Sequence, residues 1–433
     1  MKMKTNNLDK KRWFILLLCC FVNLCIGSIY AWSVFAGPME ERLNSVYSAG
    51  LSVGALAIVF TIANAVGPLV MIPGGRINDK IGPRWIVLVG GLLFGGGYIL
   101  SGSATSLPML IVTYSIMSGF GLALVYGCNI NNCVKLFPDK RGLIGGLTTA
   151  SYGLSSVIVP PIANTLIQNI GVAGAFRTLG TAFLLIICIS SLFMVRPPVD
   201  YRPASMPAPA ITGDDAPGRI QSQFTWREMM GMKKFWLMIF ALLCGGISGM
   251  MCISQASAIS QNMMGLTAAS AALAVSVIAL FNAGGRILSG FVSDRIGRTG
   301  TLLGAFVLAA AGLFCLYISG HGILPLFYCG FCLIGLSFGT FMGVYPAFTA
   351  DQFGSRNNSV NYGIMFSGFA ASGYLGPTIM YKIFGAQGTY SNAFLIAELF
   401  VAAGFILMLL LNRTIKKTDT LAVSELRRKV SQQ

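Results

Sequence analysis

The stretch GGRINDKIGPR (74–84) returns later in the chain as SGFVSDRIGR (289–298), with Asp79 answered by Asp294. A second pair, FPDKRG (137–142) and FGSRN (353–357), recurs at an offset that differs by one residue. Two unrelated anchors at nearly one spacing mark an internal duplication. Each copy of the first motif closes an apolar run, 50–74 in one case and 267–290 in the other. The repeating unit is therefore built of apolar segments joined by short basic turns.

Composition sets the class of that unit. The chain has 433 residues, 55% hydrophobic and 10% charged, against about 25% charged in soluble domains. A helical membrane span needs about 20 mainly apolar residues. Twelve such stretches follow: 13–37, 50–74, 85–105, 107–134, 143–169, 173–195, 235–261, 267–290, 300–320, 322–348, 358–384 and 390–412. The expected fold is an all-α membrane protein with twelve transmembrane helices in two six-helix halves. The halves fall at 1–195 and 235–412, joined by a cytoplasmic linker, 196–234, and followed by a cytoplasmic tail, 413–433. The apolar run from Trp13 is too long for a signal segment and reads as a retained first span.

The net charge of +16 invites a nucleic-acid partner, but the placement of the charges explains it otherwise. Of 30 Lys and Arg residues, 26 fall in segments on the side of the termini. Arg42, Arg177 and Lys382 fall on the other side, and Arg286 lies within a span. That asymmetry is the positive-inside pattern with both termini cytoplasmic. It predicts a multi-pass protein of the cell inner (plasma) membrane whose partners are the lipid bilayer and a small solute, not nucleic acid.

Enzyme chemistry has little to work with. No metal cluster, nucleophile–base pair or phosphate loop is visible, and no cofactor is expected. The eleven cysteines lie almost wholly in apolar stretches and the one histidine, His321, sits at a loop edge. Within the linker, 196–224 is rich in Pro, Ala and polar residues, and Thr225 with Glu228 has capping-box spacing. Pro160-Pro161 reads as a kink, and Gly95-Gly96-Gly97 as a close-packing surface.

Arg286 is the residue that points to a function. It lies in TAASAALAVSVIALFNAGGRILSG (267–290), which holds no other charge. An ionised guanidinium at membrane depth costs about 3 kcal/mol to about 10 or more. Such a group faces a partner, a wet cavity or a bound anion, and no carboxylate shares its span.

Gly75, Asp79, Lys80, Gly82 and Arg84 fill a loop pattern, G-x-x-x-D-[RK]-x-G-x-[RK], that resembles the major facilitator superfamily. Gly290, Asp294, Arg295 and Gly297 repeat it, with Thr299 at the last basic position and Arg298 one place early. The resemblance implies the major facilitator fold and a gating role for Gly75, Asp79, Arg84, Gly290, Asp294 and Arg298. The runs GSIYAWSVFAGP (27–38), LVYGCNINNCVKLFPDKRGLIGGL (124–147), ASYGLSS (150–156) and NYGIMFSGFAAS (361–372) look like the oxalate/formate antiporter family, related to the monocarboxylate transporters. That likeness implies secondary transport of small carboxylates by alternating access. It assigns Arg286 to the substrate carboxylate, with Tyr30, Tyr126 and Tyr152 lining the cavity and Phe338 and Phe366 where the oxalate carrier has tryptophans. Asn282 stands where animal monocarboxylate transporters have an aspartate one turn before the arginine. Asn129, near Tyr126, either lines the path or glues helices together.

Departures from the family narrow the cargo. The oxalate carrier has a second cation in span eleven, and the matching position here is Phe369. One buried cation suits one anionic charge, since a second would stay uncompensated in low dielectric. A monocarboxylate such as formate, lactate or pyruvate is therefore expected. An oxalate:formate antiporter and a proton-coupled monocarboxylate symporter are the alternatives, with Glu398 as candidate proton site in the second. A carboxylate sensor is a further reading, which no attached signalling segment supports. In proteoliposomes, oxalate uptake should fall well below lactate or pyruvate uptake, and comparable rates would refute the charge argument.

Overall fold

The computed structural model describes residues 5–51, 55–198, 201–204, 206, 223–320 and 322–430. His321 and most of 196–224 lie outside the described residues. Every regular element among the described residues is helical. Span one runs Thr5–Ile26, turns through a 3-10 segment, Gly27–Ala31, and continues as Trp32–Tyr47. Span two is Ala57–Ala65 with Gly67–Ile81, span three Pro83–Ser101 and span four Leu107–Leu136, with a π-helical stretch at Ile111–Ser118. Spans five and six form the run Arg141–Phe193, broken at Gly171, whose φ of 73° and ψ of 166° are not helical. Span seven is Lys233–Ser254 with Ala256–Met264, span eight Ala268–Ile296 and span nine Arg298–Ser319. Leu324–Phe353, Asn358–Gln387 and Ser391–Val430 are spans ten to twelve.

By length and composition alone, ten of these segments are apolar enough to cross a membrane. The count rises to twelve for two physical reasons. Arg141–Phe193 is two spans reversing at Gly171, a conformation open to a residue without a Cβ. Span eleven is diluted by Asn358, Ser359, Asn361 and Ser372, all of which are buried. Its polarity faces protein rather than lipid, so its mean hydropathy understates its place in the bundle.

The duplication is visible in the backbone. Gly82 ends span two with φ 92°, ψ 175°, and Gly297 ends span eight with φ 88°, ψ 156°. Both are motif glycines, and both occupy the region that side chains rarely enter. Pro83 then starts span three at a position where its missing N–H costs nothing. Thr225 and Glu228 form the expected capping box ahead of span seven.

Two large apolar cores result. One gathers Val22, Phe35, Phe94, Tyr114, Phe176 and their neighbours; the other gathers Phe235, Phe306, Phe331, Phe341 and theirs. Phe366 packs against both. Without a solvent-driven force between helices in lipid, close packing holds such a bundle, and small residues permit it. A Cβ on Gly285 would lie 2.6 Å from the Leu336 carbonyl oxygen of span ten, whereas one on Gly304 would meet nothing within 4 Å. Gly285→Val should lower the melting temperature of the purified protein, an overpacking cost of about 1–3 kcal/mol. Gly304→Val should leave it within a degree or two, on the order of the small effects typical of unstrained surface sites. Equal shifts would refute this packing.

Candidate functional site

The site begins with how closely span eight is held. A Cβ on Gly343 would lie 2.6 Å from the Arg286 carbonyl oxygen, and one on Gly146 would collide with the same oxygen. Glycines on spans ten and five thus bring two neighbours onto the backbone of Arg286. Its side chain is 4% exposed. Nε donates to Asn282 Oδ1 at 3.1 Å, one turn back on the same helix. Nη1 donates to the Thr149 carbonyl oxygen on span five at 2.7 Å. A Cβ on Gly153 would sit 3.5 Å from the guanidinium carbon, so that glycine leaves room over the charge. Among the described residues no carboxylate pairs with Arg286. Both acceptors are neutral, and the positive charge stands uncompensated.

Aromatic rings enclose it. Tyr126 on span four lies within electrostatic reach of Arg286. Tyr126 packs on Tyr152 with centroids 4.7 Å apart, and Tyr152 on Tyr30 at 5.4 Å. In the other direction Tyr126 meets Phe366 at 5.7 Å, Phe366 meets Phe369 at 4.9 Å, and Phe369 meets Phe338 at 6.0 Å. The belt runs unbroken from span one to span ten through Arg286's surroundings. It supplies apolar ring faces with hydroxyls at intervals, the lining expected around one small polar solute.

At the end of the bundle that carries the repeated motifs, each motif acid reaches across to the other six spans. Asp294 accepts from the backbone N–H groups of Gly142 and Leu143, both at 2.9 Å, at the start of span five. Asp79 accepts from the Val360 N–H at 3.3 Å, at the start of span eleven. A carboxylate at a helix N-terminus meets unsatisfied donors and the positive end of the dipole. Lys135 holds Asp79 at 2.6 Å. Arg298 bridges Asp294 at 2.7 Å and Asp351 at 2.9 Å, and Arg141 completes the network on Asp351 at 2.8 Å. The motif glycines allow the approach: a Cβ on Gly75 would lie 2.6 Å from the Ser359 oxygen, and one on Gly290 would strike the Gly142 carbonyl.

The Major Facilitator Superfamily profile matches residues 13–377 and 290–432. The chain belongs to that superfamily. As a major facilitator protein it is a membrane transporter and not an enzyme. It is 29% identical over 426 residues to the oxalate:formate antiporter of Oxalobacter formigenes, covering 96% of each chain. It is 27% identical over 368 residues to an uncharacterized MFS-type transporter, YhjX, of Escherichia coli K12, covering 85% of this chain and 87% of that one. Monocarboxylate transporter 12 of Xenopus laevis is 25% identical over 408 residues, 89% of this chain and 85% of that one. Its fold matches FucP in the outward conformation with a TM-score of 0.68 at 15% identity, covering 92% and 98% of the two chains.

Within this major facilitator frame the sequence-derived residues sort themselves by position. Arg286, Asn282, Tyr30, Tyr126, Tyr152, Phe338 and Phe366 come together. Asn129 does not join them: its amide donates to Asn23 Oδ1 at 3.1 Å and its oxygen accepts from Cys19, tying span four to span one. Glu398 is on span twelve, which packs on spans seven, nine and eleven. Gly75, Asp79, Gly290, Asp294 and Arg298 meet in the latch, but Arg84 does not. It is exposed over the Trp85 ring, 5.8 Å from its centroid, and forms no ion pair among the described residues. Sequence reasoning missed Tyr362 at the site and Lys135, Arg141 and Asp351 in the latch. Tyr362, 2% exposed, lies in the Arg286 field and packs on Phe366 at 5.9 Å. Lys135 and Asp351 complete the latch; both lie beside the FPDKRG and FGSRN echoes, which was the available signal. Asp294→Asn should raise hydrogen–deuterium exchange at the start of span five, because a neutral amide holds the two N–H groups less well than a carboxylate. Unchanged protection there would show that the latch does not depend on this acid.

Proposed function

We propose that this transporter moves small carboxylates across the inner (plasma) membrane by alternating access, and that the cargo is a monocarboxylate such as formate, lactate or pyruvate. The observation that carries this reading is the buried Arg286 guanidinium, held by two neutral acceptors and paired with no carboxylate among the described residues. A planar fork of N–H donors is matched to a carboxylate, and the bonds are charge-assisted. The similarity to an oxalate:formate antiporter and to a monocarboxylate transporter points the same way. Residues 1–195 and 235–412 act as the two rocking units, with 196–234 as linker and 413–433 as tail. Both termini and the latch are cytoplasmic, as the basic residues indicate.

The mechanism follows from what holds the arginine. An entering carboxylate competes with the Thr149 carbonyl for the guanidinium. Thr149 belongs to span five and Arg286 to span eight. Cargo binding therefore replaces a bond between the two units with one to the substrate. It also neutralises a charge that otherwise crosses low dielectric during the conformational change. The loaded carrier reorients more readily than the empty one, which favours exchange over net flux. Tyr30, Tyr126 and Tyr152 donate hydroxyls and exclude water, and Tyr362 contributes from span eleven. Phe338, Phe366 and Phe369 close the far wall with no second cation among the described residues of the belt, which disfavours a dianion such as oxalate. Glu398 is on span twelve, which contributes no ring to the belt, and this favours exchange over proton-coupled symport.

Counterflow of labelled formate, lactate and pyruvate in proteoliposomes tests the reading. Arg286→Gln should reduce exchange at least about thirtyfold, a loss of ~2 kcal/mol on the scale of truncated buried charge contacts. The variant should keep the wild-type melting profile. Retained exchange by a folded Arg286→Gln protein would exclude a carboxylate–guanidinium site.

A further inference from the structure

A second concentration of positive charge lies outside the transport path. At the motif end of the bundle a cleft of ≈ 590 Å³ is lined by Arg76, Lys80, Arg196, Arg227 and Arg356 together with Asp79. Asp79 is already engaged by Lys135 and by the Val360 N–H. None of the five cations pairs with a carboxylate among the described residues. They come from both sets of spans. Arg76 and Lys80 sit on span two and Arg196 follows span six, while Arg227 precedes span seven and Arg356 lies between spans ten and eleven. Arg196 is anchored, its Nη1 donating to the Lys80 carbonyl oxygen at 2.6 Å. Arg356 is fixed at its backbone, whose N–H donates to Gln223 Oε1 at 2.8 Å. All five are exposed, so water and salt screen part of their mutual repulsion, and a bound anion would relieve the rest.

The rim of the cleft indicates where that anion comes from. Trp226 lines it while also standing exposed, and Ile77 and Ile81, sequence neighbours of Arg76 and Lys80, are exposed on the same helix. Apolar and indole side chains at this level mark the boundary between lipid tails and headgroups. Basic pockets between spans at that boundary suit phosphate headgroups.

We propose that this cleft binds the phosphate of an anionic phospholipid, and that the bound lipid bridges the two sets of spans while the latch is closed. Three of the cations belong to the first six spans and two to the segments leading into the others, so one phosphate group contacts both. Opening this end separates Arg76, Lys80 and Arg196 from Arg227 and Arg356 and breaks the site. Occupancy therefore favours the closed latch, and membrane composition becomes a regulator of the transport cycle.

Native mass spectrometry of the purified, full-length protein, loaded separately with phosphatidylglycerol and phosphatidylcholine, reads the binding without reference to transport. Phosphatidylglycerol should be retained on the order of tenfold more strongly than phosphatidylcholine. The Arg76→Gln/Arg356→Gln double variant should fall to the phosphatidylcholine level. A charge-matched double, Arg295→Gln/Arg413→Gln, placed on spans eight and twelve, should keep the preference. Equal loss in both doubles would reduce the cleft to general basic attraction and overturn the proposal. Millimolar inorganic phosphate displacing the lipid completely, with the same loss in the cleft variant, would assign the site to a soluble anion instead. Because no transported solute enters the assay, its failure leaves the carboxylate reading untouched, and the reverse also holds.

Discussion

A single hydrogen bond, from the guanidinium of Arg286 to the main-chain oxygen of Thr149, joins span eight to span five deep in the protein. It exists only because the two helices touch backbone to backbone. Side chains at Gly146 or Gly290 would hold the helices apart, and the guanidinium would lose its reach. The cost of taking a charge out of water is then met only in part. A carbonyl and an amide oxygen offer dipoles, and neither supplies a counter-charge. The aromatic belt keeps the local dielectric low and so preserves the imbalance. A site that is electrostatically incomplete on its own is one that the proposed carboxylate cargo would complete.

The duplication explains the frame but not the chemistry. Asp79 and Asp294 occupy matching places, and each caps a helix that belongs to the other six spans. The position in the first copy that corresponds to Arg286 is Met71, a buried apolar residue packed into the core of the second set. Matching places in the second anchor hold opposite charges, Lys135 and Asp351. Lys135 pairs directly with Asp79, whereas Asp351 is drawn in through Arg298 and Arg141. The two latches thus share geometry while differing in wiring. Symmetry was kept where it sets helix packing, and lost where a single charge at the centre suffices.

This division also explains how much could be read from the chain alone. Periodic apolar runs, the basic turns and the repeated motif carry the fold, since each is local in sequence. Arg286 was legible because an isolated charge in an apolar span is unusual whatever surrounds it. Asn129 was not: an amide on a helix looks the same whether it faces the cargo or Asn23. Tyr362 sits one turn before Phe366 on a span whose polarity hides its role. Arg84 matched its motif by spacing, yet the turn at Gly82 sends it outward onto Trp85, and Arg298, one place out of register, takes the bridging task. What sequence could not supply was the direction in which side chains point once two helices cross.

The latch end and the site end of the interface are built from different materials, and the difference has a mechanical consequence. Near the motifs, Asn78 donates to Ser359 at 2.9 Å and Asn358 donates to Asn131, so the surface between spans two, four and eleven is polar although buried. Separating these groups exposes amides and hydroxyls that water satisfies at once, and exchanging a protein hydrogen bond for one to water costs only about 0.5–1.5 kcal/mol. Around Arg286 the lining is aromatic, and flooding it carries an apolar penalty that scales with area. Parting these neutral groups is therefore cheap, and the carboxylate bonds of Asp79 and Asp294 with the Arg141–Asp351 pair set the larger share of the cost of opening this end. The centre resists hydration until a solute occupies it. An interface graded in this way suits the proposed alternating access, in which the ends part in turn while the middle stays dry and an anion passes without a continuous aqueous path.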